Sequence, residues 1–213
     1  LKSDIIKKFP NIFNYHNASL ENFRGSGAQS WMLMMNENKN QLSIHRVNKY
    51  FDDGDLLLSK KLDISKANNL TQIYGIIDKY EKNFFSKFLF LFFNKKLKKK
   101  SNKSKINYYY PRINHKKDAY VNWNWKSQDI ISFSNAFDDP YKGIIASIDN
   151  KKIFLKKAKF EFRKKFHPFQ YGIIFWKRKK KLYVATQNGV ISFEYNANKN
   201  INLLGKKFKN LSS

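Results

Sequence analysis

The chain has 213 residues, a formal net charge of +26 at neutral pH, 42% hydrophobic and 17% aromatic content, and no cysteine. That length buries a core as one domain or two small ones, and the missing cysteines exclude a disulfide framework and a thiolate metal site while fitting a reducing, cytoplasmic setting. The charge has two readings: a polyanionic partner, or a compositional bias in which Lys, Asn, Ile, Phe and Tyr rise together while Arg, the bidentate phosphate reader, stays scarce.

No signal peptide is visible in Leu1-Lys2-Ser3-Asp4, which leads into a charged segment. Asp4 to Pro10 is expected to end a helix, with Pro10 as its stop. Ile12 to Tyr15 is a short strand that delivers Asn14 and His16 at its C-terminal end. Gly25-Ser26-Gly27 permits a tight turn, and Ser26 is the expected N-cap of a helix from Ala28 to Met35 with Trp31, Met34 and Met35 as core. Gln41 to Val47 alternates as a strand, with Leu42 and Ile44 on one face and Ser43, His45 and Val47 on the other. Asp52 to Asp55 makes a turn, and a further strand runs from Leu56 to about Ile64.

A helix is expected from Asn69 to Phe93, with Ile73, Ile76, Ile77, Tyr80, Phe84 and Phe88 at three- and four-residue steps. Its apolar end, Phe84 to Phe93, is broken by Ser86 and Lys87 and falls short of the ~20 residues a membrane span needs. It reads as a core-facing helix end, so no membrane partner is expected. The lysine run Lys95 to Lys105 has no apolar period and is an exposed linker. The domains are therefore placed at 1–97 and 111–213, joined by a basic stretch at 98–110.

The second part opens with Tyr108-Tyr109-Tyr110-Pro111-Arg112 and Val121-Asn122-Trp123. A helix over Ser127 to Phe137 carries Ile130, Ile131, Phe133 and Phe137, and Asp138-Asp139-Pro140-Tyr141-Lys142-Gly143 ends it in a turn. Strands follow at Ile144–Ile148, Lys152–Phe162, Tyr171–Trp176, Leu182–Thr186 and Val190–Tyr195, which suggests a small barrel or curled sheet. Asn188-Gly189 is a hairpin signal suited to a type I′ turn, with positive φ at both positions. The polar tail from Asn196 is expected to be partly disordered.

Alone, an Asn-x-His pair or an acidic turn carries little. Their joint order carries more: Asn14-x-His16, Arg24-Gly25, Asp52-Asp53-Gly54-Asp55, and later Pro111-Arg112, Trp123 and Asp139-Pro140-Tyr141-x-Gly143. This series resembles the folate-dependent formyltransferase family, which includes the methionyl-tRNA and amino-sugar formyltransferases. The loop departs from the commonest pattern, with Asn17, Ala18 and Glu21 where Pro, Ser and Pro are often found, and Val121-Asn122-Trp123 replaces the usual Ile-Asp-Trp. The resemblance implies an α/β fold class: the C-terminal half of a Rossmann-like formyltransferase domain, then a small OB-like barrel. Only thirteen residues precede Asn14, so the N-terminal half of the catalytic domain is expected to be missing and the remaining parallel sheet to have an uncovered face and an exposed edge.

What the resemblance implies for chemistry is formyl transfer from 10-formyltetrahydrofolate to a primary amine. A histidine, ordinarily titrating near ~6.5, takes the amine proton, and a neutral amide donor holds the developing oxyanion. His16 and Asn14 match those positions. Asp52 matches the carboxylate that orients the imidazole and stabilises its charged form. Asp53, Gly54 and Asp55 match the turn that cradles the pterin, with Gly54 allowing close approach and Asp55 tying the turn to backbone amides. Arg24 and Gly25 match a substrate-binding segment. No metal-ligand spacing occurs. His45 and His115 have no evident partner and read as structural or exposed, and His167-Pro168-Phe169-Gln170 as a turn.

Three functions remain open from the residues. Arg24-Gly25-Ser26-Gly27-Ala28-Gln29-Ser30-Trp31 resembles the glycine-rich version of the segment in members that act on amino sugars carried by a nucleotide. The lysine clusters at Lys95–Lys105 and Lys177–Lys181 favour methionyl-tRNA, gripped by its phosphates. The third is a non-catalytic binding remnant that has lost folate. A homodimer is compatible with each.

Overall fold

The computed structural model describes residues 3–9, 11–101, 108–149, 151–196 and 202–210. In chain order the elements are α1 (Ser3–Lys8), β1 (Phe13–His16), β2 (Arg24–Gly25), α2 (Ala28–Met34), β3 (Lys39–Arg46), β4 (Leu56–Asp63), α3 (Leu70–Phe93), β5 (Tyr109–Tyr110) and α4 (Ser127–Phe137). The strands β6 (Ile144–Ile148), β7 (Lys151–Phe162), β8 (Ile174–Arg178), β9 (Lys181–Thr186) and β10 (Gly189–Asn196) complete the chain, with a 3₁₀ turn at Pro168–Gln170. It divides into two compact units, residues 1–32, 37–67 and 72–113 in the first, and 33–36, 68–71 and 114–213 in the second. Pro10, read as a helix stop, lies outside the described residues, as do residues 102–107 of the basic stretch.

In the first unit the sheet runs β1-β3-β4 with both pairings antiparallel, not parallel as expected. Hydrophobic pattern fixes which residues are covered and says nothing of a partner's direction. The parallel pairing among the described strands is the short β2–β5 contact, Arg24 opposite Tyr109 and Gly25 opposite Tyr110. Strand β1 divides its side chains by the period-two rule. Phe13 and Tyr15 meet α3, with ring centroids 5.2 Å from Phe88 and 4.8 Å from Phe85. Asn14 and His16 therefore point away from the helix. β3 is covered on both faces, so Leu42, Ser43, Ile44 and His45 are all buried and no polar face survives.

Helix α3 buries Leu70, Ile73, Ile77, Phe84 and Phe88, a stripe at helical spacing. Its end is only half core-facing: Phe85, Leu89, Phe90 and Phe93 are exposed, as is Tyr80. In α2 the buried residues are Ala28, Gln29, Ser30, Met32 and Leu33; of the expected core positions Met35 is exposed, Met34 is half-buried, and Trp31 is half-buried with its indole N–H donating to Pro111 O. The carbonyl of Gly27 accepts from Ser30 and Trp31, so this glycine, not Ser26, takes the cap position. Lys100 bridges to Leu56 through a reciprocal backbone pair, so this part of the lysine run belongs to the fold.

The second unit is a five-stranded antiparallel sheet, β6-β7-β10-β9-β8, with α4 against β7 and β10. Trp123 stacks on Phe208 at 4.9 Å and meets Phe193 edge-on. The tail is ordered where described: Lys209 pairs with Ser147 beside β6 and Lys207 with Ile173 at the start of β8, while Leu203 and Phe208 are buried. Residues 206–209 thus bridge the sheet's two edges and close it as a barrel. The β9–β10 turn is Gln187–Asn188, since Gly189 already pairs with Thr186, and neither turn residue has positive φ. Gly189 is required for another reason, because a Cβ there would lie 2.5 Å from the Phe160 ring. The strand expected from Tyr171 begins at Ile174, since His167 caps the 3₁₀ turn and Tyr171 closes it.

Candidate active site

The β1–β3 register sets Asn14 directly opposite His45, and His16 opposite Ser43. Between Ile44 and His45 the β3–β4 register slips by one residue, a bulge that re-aims the end of β3. The Asp52 turn follows. Asp52 has φ of +47°, a left-handed conformation that aspartate tolerates better than most residues, and its carboxylate is turned inward. Gly25 donates its N–H to Asp52 Oδ2 at 3.0 Å. Glycine is needed there: φ is +97° and a Cβ would lie 2.3 Å from Tyr110 O.

Side chains from two separate strands, Asn14 and His16 on β1 and His45 on β3, therefore meet around Asp52. Asn14 Nδ2 donates to Asp52 Oδ1 at 3.3 Å, and His16 Nδ1 lies 3.9 Å from Oδ2. His45, read from sequence as lacking a partner, is the third. Its Nε2 is 3.6 Å from Asp52 Oδ1 and 3.1 Å from Asn14 Nδ2. Burial pushes the Asp52 carboxyl upward, yet the neighbouring His45 and His16 rings in their protonated forms, together with the Gly25 amide, outweigh it and leave the carboxyl below its ordinary value. The group is ionised at neutral pH.

Hydrogen positions follow from what each acceptor allows. His16 Nε2 lies 2.7 Å from Phe23 O, and a carbonyl only accepts, so Nε2 carries hydrogen. The basic nitrogen of neutral His16 is then Nδ1, on the Asp52 side. The loop between them lacks the prolines common elsewhere but is held by other means. Ala18 and Leu20 are buried, Ser43 Oγ donates to Ala18 O, and Gln29 Nε2 donates to both Asn17 oxygens.

The remaining expected site residues are engaged within the protein. Arg24 is buried, donating from Nε to Leu20 O and from Nη1 to Asp53 Oδ1, each at 2.7 Å. It braces the turn instead of presenting its guanidinium outward. Asp53 also accepts from Asn48. Gly54 packs so closely that a Cβ would sit 1.6 Å from Arg46 O, so the chain's own backbone, not an approaching ring, is what demands glycine. Asp55 holds the turn through its backbone carbonyl, which accepts from Arg46 N.

Two family models match the sequence: formyl transferase over residues 1–89, and formyl transferase C-terminal domain over residues 114–203. The chain belongs to the formyltransferase family. This formyltransferase chain is 25% identical over 162 residues to the bifunctional polymyxin resistance protein ArnA of Wigglesworthia glossinidia brevipalpis, covering 75% of this chain and 25% of that protein. It is 32% identical over 62 residues to methionyl-tRNA formyltransferase of Flavobacterium psychrophilum, covering 29% and 20%. It thus spans about a quarter or less of these curated relatives. In fold it resembles the N-formyltransferase of Helicobacter canadensis, solved with folinic acid and dTDP-3-aminofucose, with a TM-score of 0.69, 16% identity, and coverage of 89% of this chain and 68% of that one.

Proposed function

We propose that the protein transfers a formyl group from 10-formyltetrahydrofolate to a primary amine, that of a nucleotide-linked amino sugar. The observation that carries this reading is the convergence of Asn14, His16 and Asp52, with both imidazole and carboxamide within 4 Å of one ionised carboxylate. The one-carbon unit is supplied by the folate when bound. The remaining steps belong to the side chains.

His16 takes the amine proton at Nδ1 and later returns it to the leaving nitrogen. As Nδ1 becomes positive, Asp52 is drawn to it across the 3.9 Å gap. Asn14 gives up its bond to Asp52, which at 3.3 Å is long for an N–H···O bond, and donates that hydrogen to the formyl oxygen as charge builds there. The carboxylate thus exchanges a neutral partner for a charged one at the moment of transfer. We assign this chemistry to residues 1–97, with 98–110 joining them to the barrel at 111–213. We assign the protein to the cytoplasm on the formyl-transfer reading alone.

The amino-sugar assignment is supported by the Helicobacter enzyme's bound dTDP-3-aminofucose. Methionyl-tRNA is the second reading, favoured by the net charge of +26. The two separate by assaying formylation of a dTDP-linked amino sugar and of methionyl-tRNA at about 50 and 200 mM salt. The proposal expects formyl-sugar at similar rates in both salts. Formylation of tRNA alone, falling steeply with salt, would replace it with the second reading.

A further inference from the structure

His45 lies outside the three roles just assigned, yet its hydrogen bonding leaves it little freedom. It is 2% exposed. Its Nδ1 sits 3.0 Å from Arg46 O, and because a carbonyl only accepts, Nδ1 carries hydrogen. Nε2 is then a lone-pair acceptor, and the partner at 3.1 Å is Asn14 Nδ2. Asn14 therefore spends one amide hydrogen on His45 and the other on Asp52 Oδ1. Turning the carboxamide over would set its oxygen against both a lone pair and a carboxylate. The two neighbours select the same orientation.

They are not equivalent partners. The bond to Asp52 is the longer one and is given up during transfer, while the bond to His45 Nε2 does not compete with any reacting atom. The Arg46 carbonyl that sets the His45 tautomer is itself gripped by the turn. Arg46 N donates to Asp55 O, and Gly54 presses against the carbonyl with no side chain between. The acidic turn thus acts on Asn14 twice, directly through Asp52 and indirectly through Arg46 and His45.

We infer that His45 is a positioning residue for the transfer: neutral, protonated at Nδ1, it anchors the Asn14 carboxamide through Nε2 so that the second amide hydrogen faces the formyl oxygen. The inference rests on the formyl-transfer reading, and its test separates the two. Nitrogen-15 NMR of the histidine rings in the wild-type protein at neutral pH reports the tautomer without any turnover. His45 is expected as Nδ1–H with an unprotonated Nε2; an Nε2–H tautomer or an imidazolium overturns the inference, since neither accepts from Asn14.

Kinetics supply the second arm. His45→Phe removes the acceptor, and His45→Gln restores one near the Nε2 position. The expected result is a kcat about 10- to 100-fold lower in the phenylalanine variant with KM for both substrates nearly unchanged, and substantial recovery in the glutamine variant. Equal losses in both variants, or wild-type kcat in His45→Phe, overturn it. A wild-type protein that formylates no amine sinks the transfer reading, and the tautomer measurement still decides the anchor.

Discussion

Substituting Gly54 by alanine tests how tightly the acidic turn grips β3. The new Cβ would stand 1.6 Å from Arg46 O, 2.8 Å from its carbonyl carbon and 3.3 Å from His45 Nδ1. Real Cβ contacts do not fall below 3.0 Å, so the carbonyl must retreat by about 1.4 Å. That retreat breaks two hydrogen bonds, His45 Nδ1 to Arg46 O and Arg46 N to Asp55 O, both 3.0 Å long. Each contributes about 1 kcal/mol, and overpacking adds about 1–3 kcal/mol. The total, roughly 3–5 kcal/mol, corresponds to a fall in Tm of about 10 °C for a chain of this size. Differential scanning calorimetry measures it directly. A Gly54→Ala protein melting within about 2 °C of wild type would refute the argument, because the backbone would then have room that the geometry denies it.

The Asp52 carboxyl, held below its ordinary value of 3.8, contributes stability that is fully present above that value and is lost as pH falls through the lower folded value. Asp52→Asn should therefore lower stability at neutral pH and flatten the acid limb of a stability-versus-pH curve below about pH 4; superimposable acid limbs would show that the Gly25, His16 and His45 partners contribute nothing. In the barrel, Lys126 offers α4 no side-chain cap, and Asn188 Oδ1 accepts from Ser127 N at 3.0 Å and Ser127 Oγ at 2.7 Å in its place. Asn188→Ala should cost about 1 kcal/mol in urea unfolding, and a change below ~0.3 kcal/mol would mean that the borrowed cap is idle.

Much of the architecture was legible because it is local. α4 begins and ends where its apolar stripe and the Asp138–Gly143 turn put it, and β3 lies within two residues of its alternating pattern. What was lost is what depends on partners far along the chain. Strand direction in β1-β3-β4 leaves no trace in hydrophobicity, and the tail's closing contacts, Lys207 to Ile173 and Lys209 to Ser147, join residues over thirty positions apart. The site divided in the same way. Asn14, His16 and Asp52 could be picked out by residue type and order, and the structure brings them together. His45 escaped because strict alternation placed it on an outer face, whereas β3 is covered on both sides and bulged at that residue. A histidine ending a strand that runs into an acidic turn was the available signal.

The most direct test of the central claim is the single-turnover rate of formyl transfer by His16→Gln. Glutamine can still donate to Phe23 O, preserving the 2.7 Å contact that fixes the ring's place, but it has no basic nitrogen to face Asp52. A loss of about 10²–10⁴-fold with unchanged melting temperature is the expected result. A rate within about threefold of wild type would mean that the amine proton leaves by another route and that the cluster around Asp52 is not where transfer occurs.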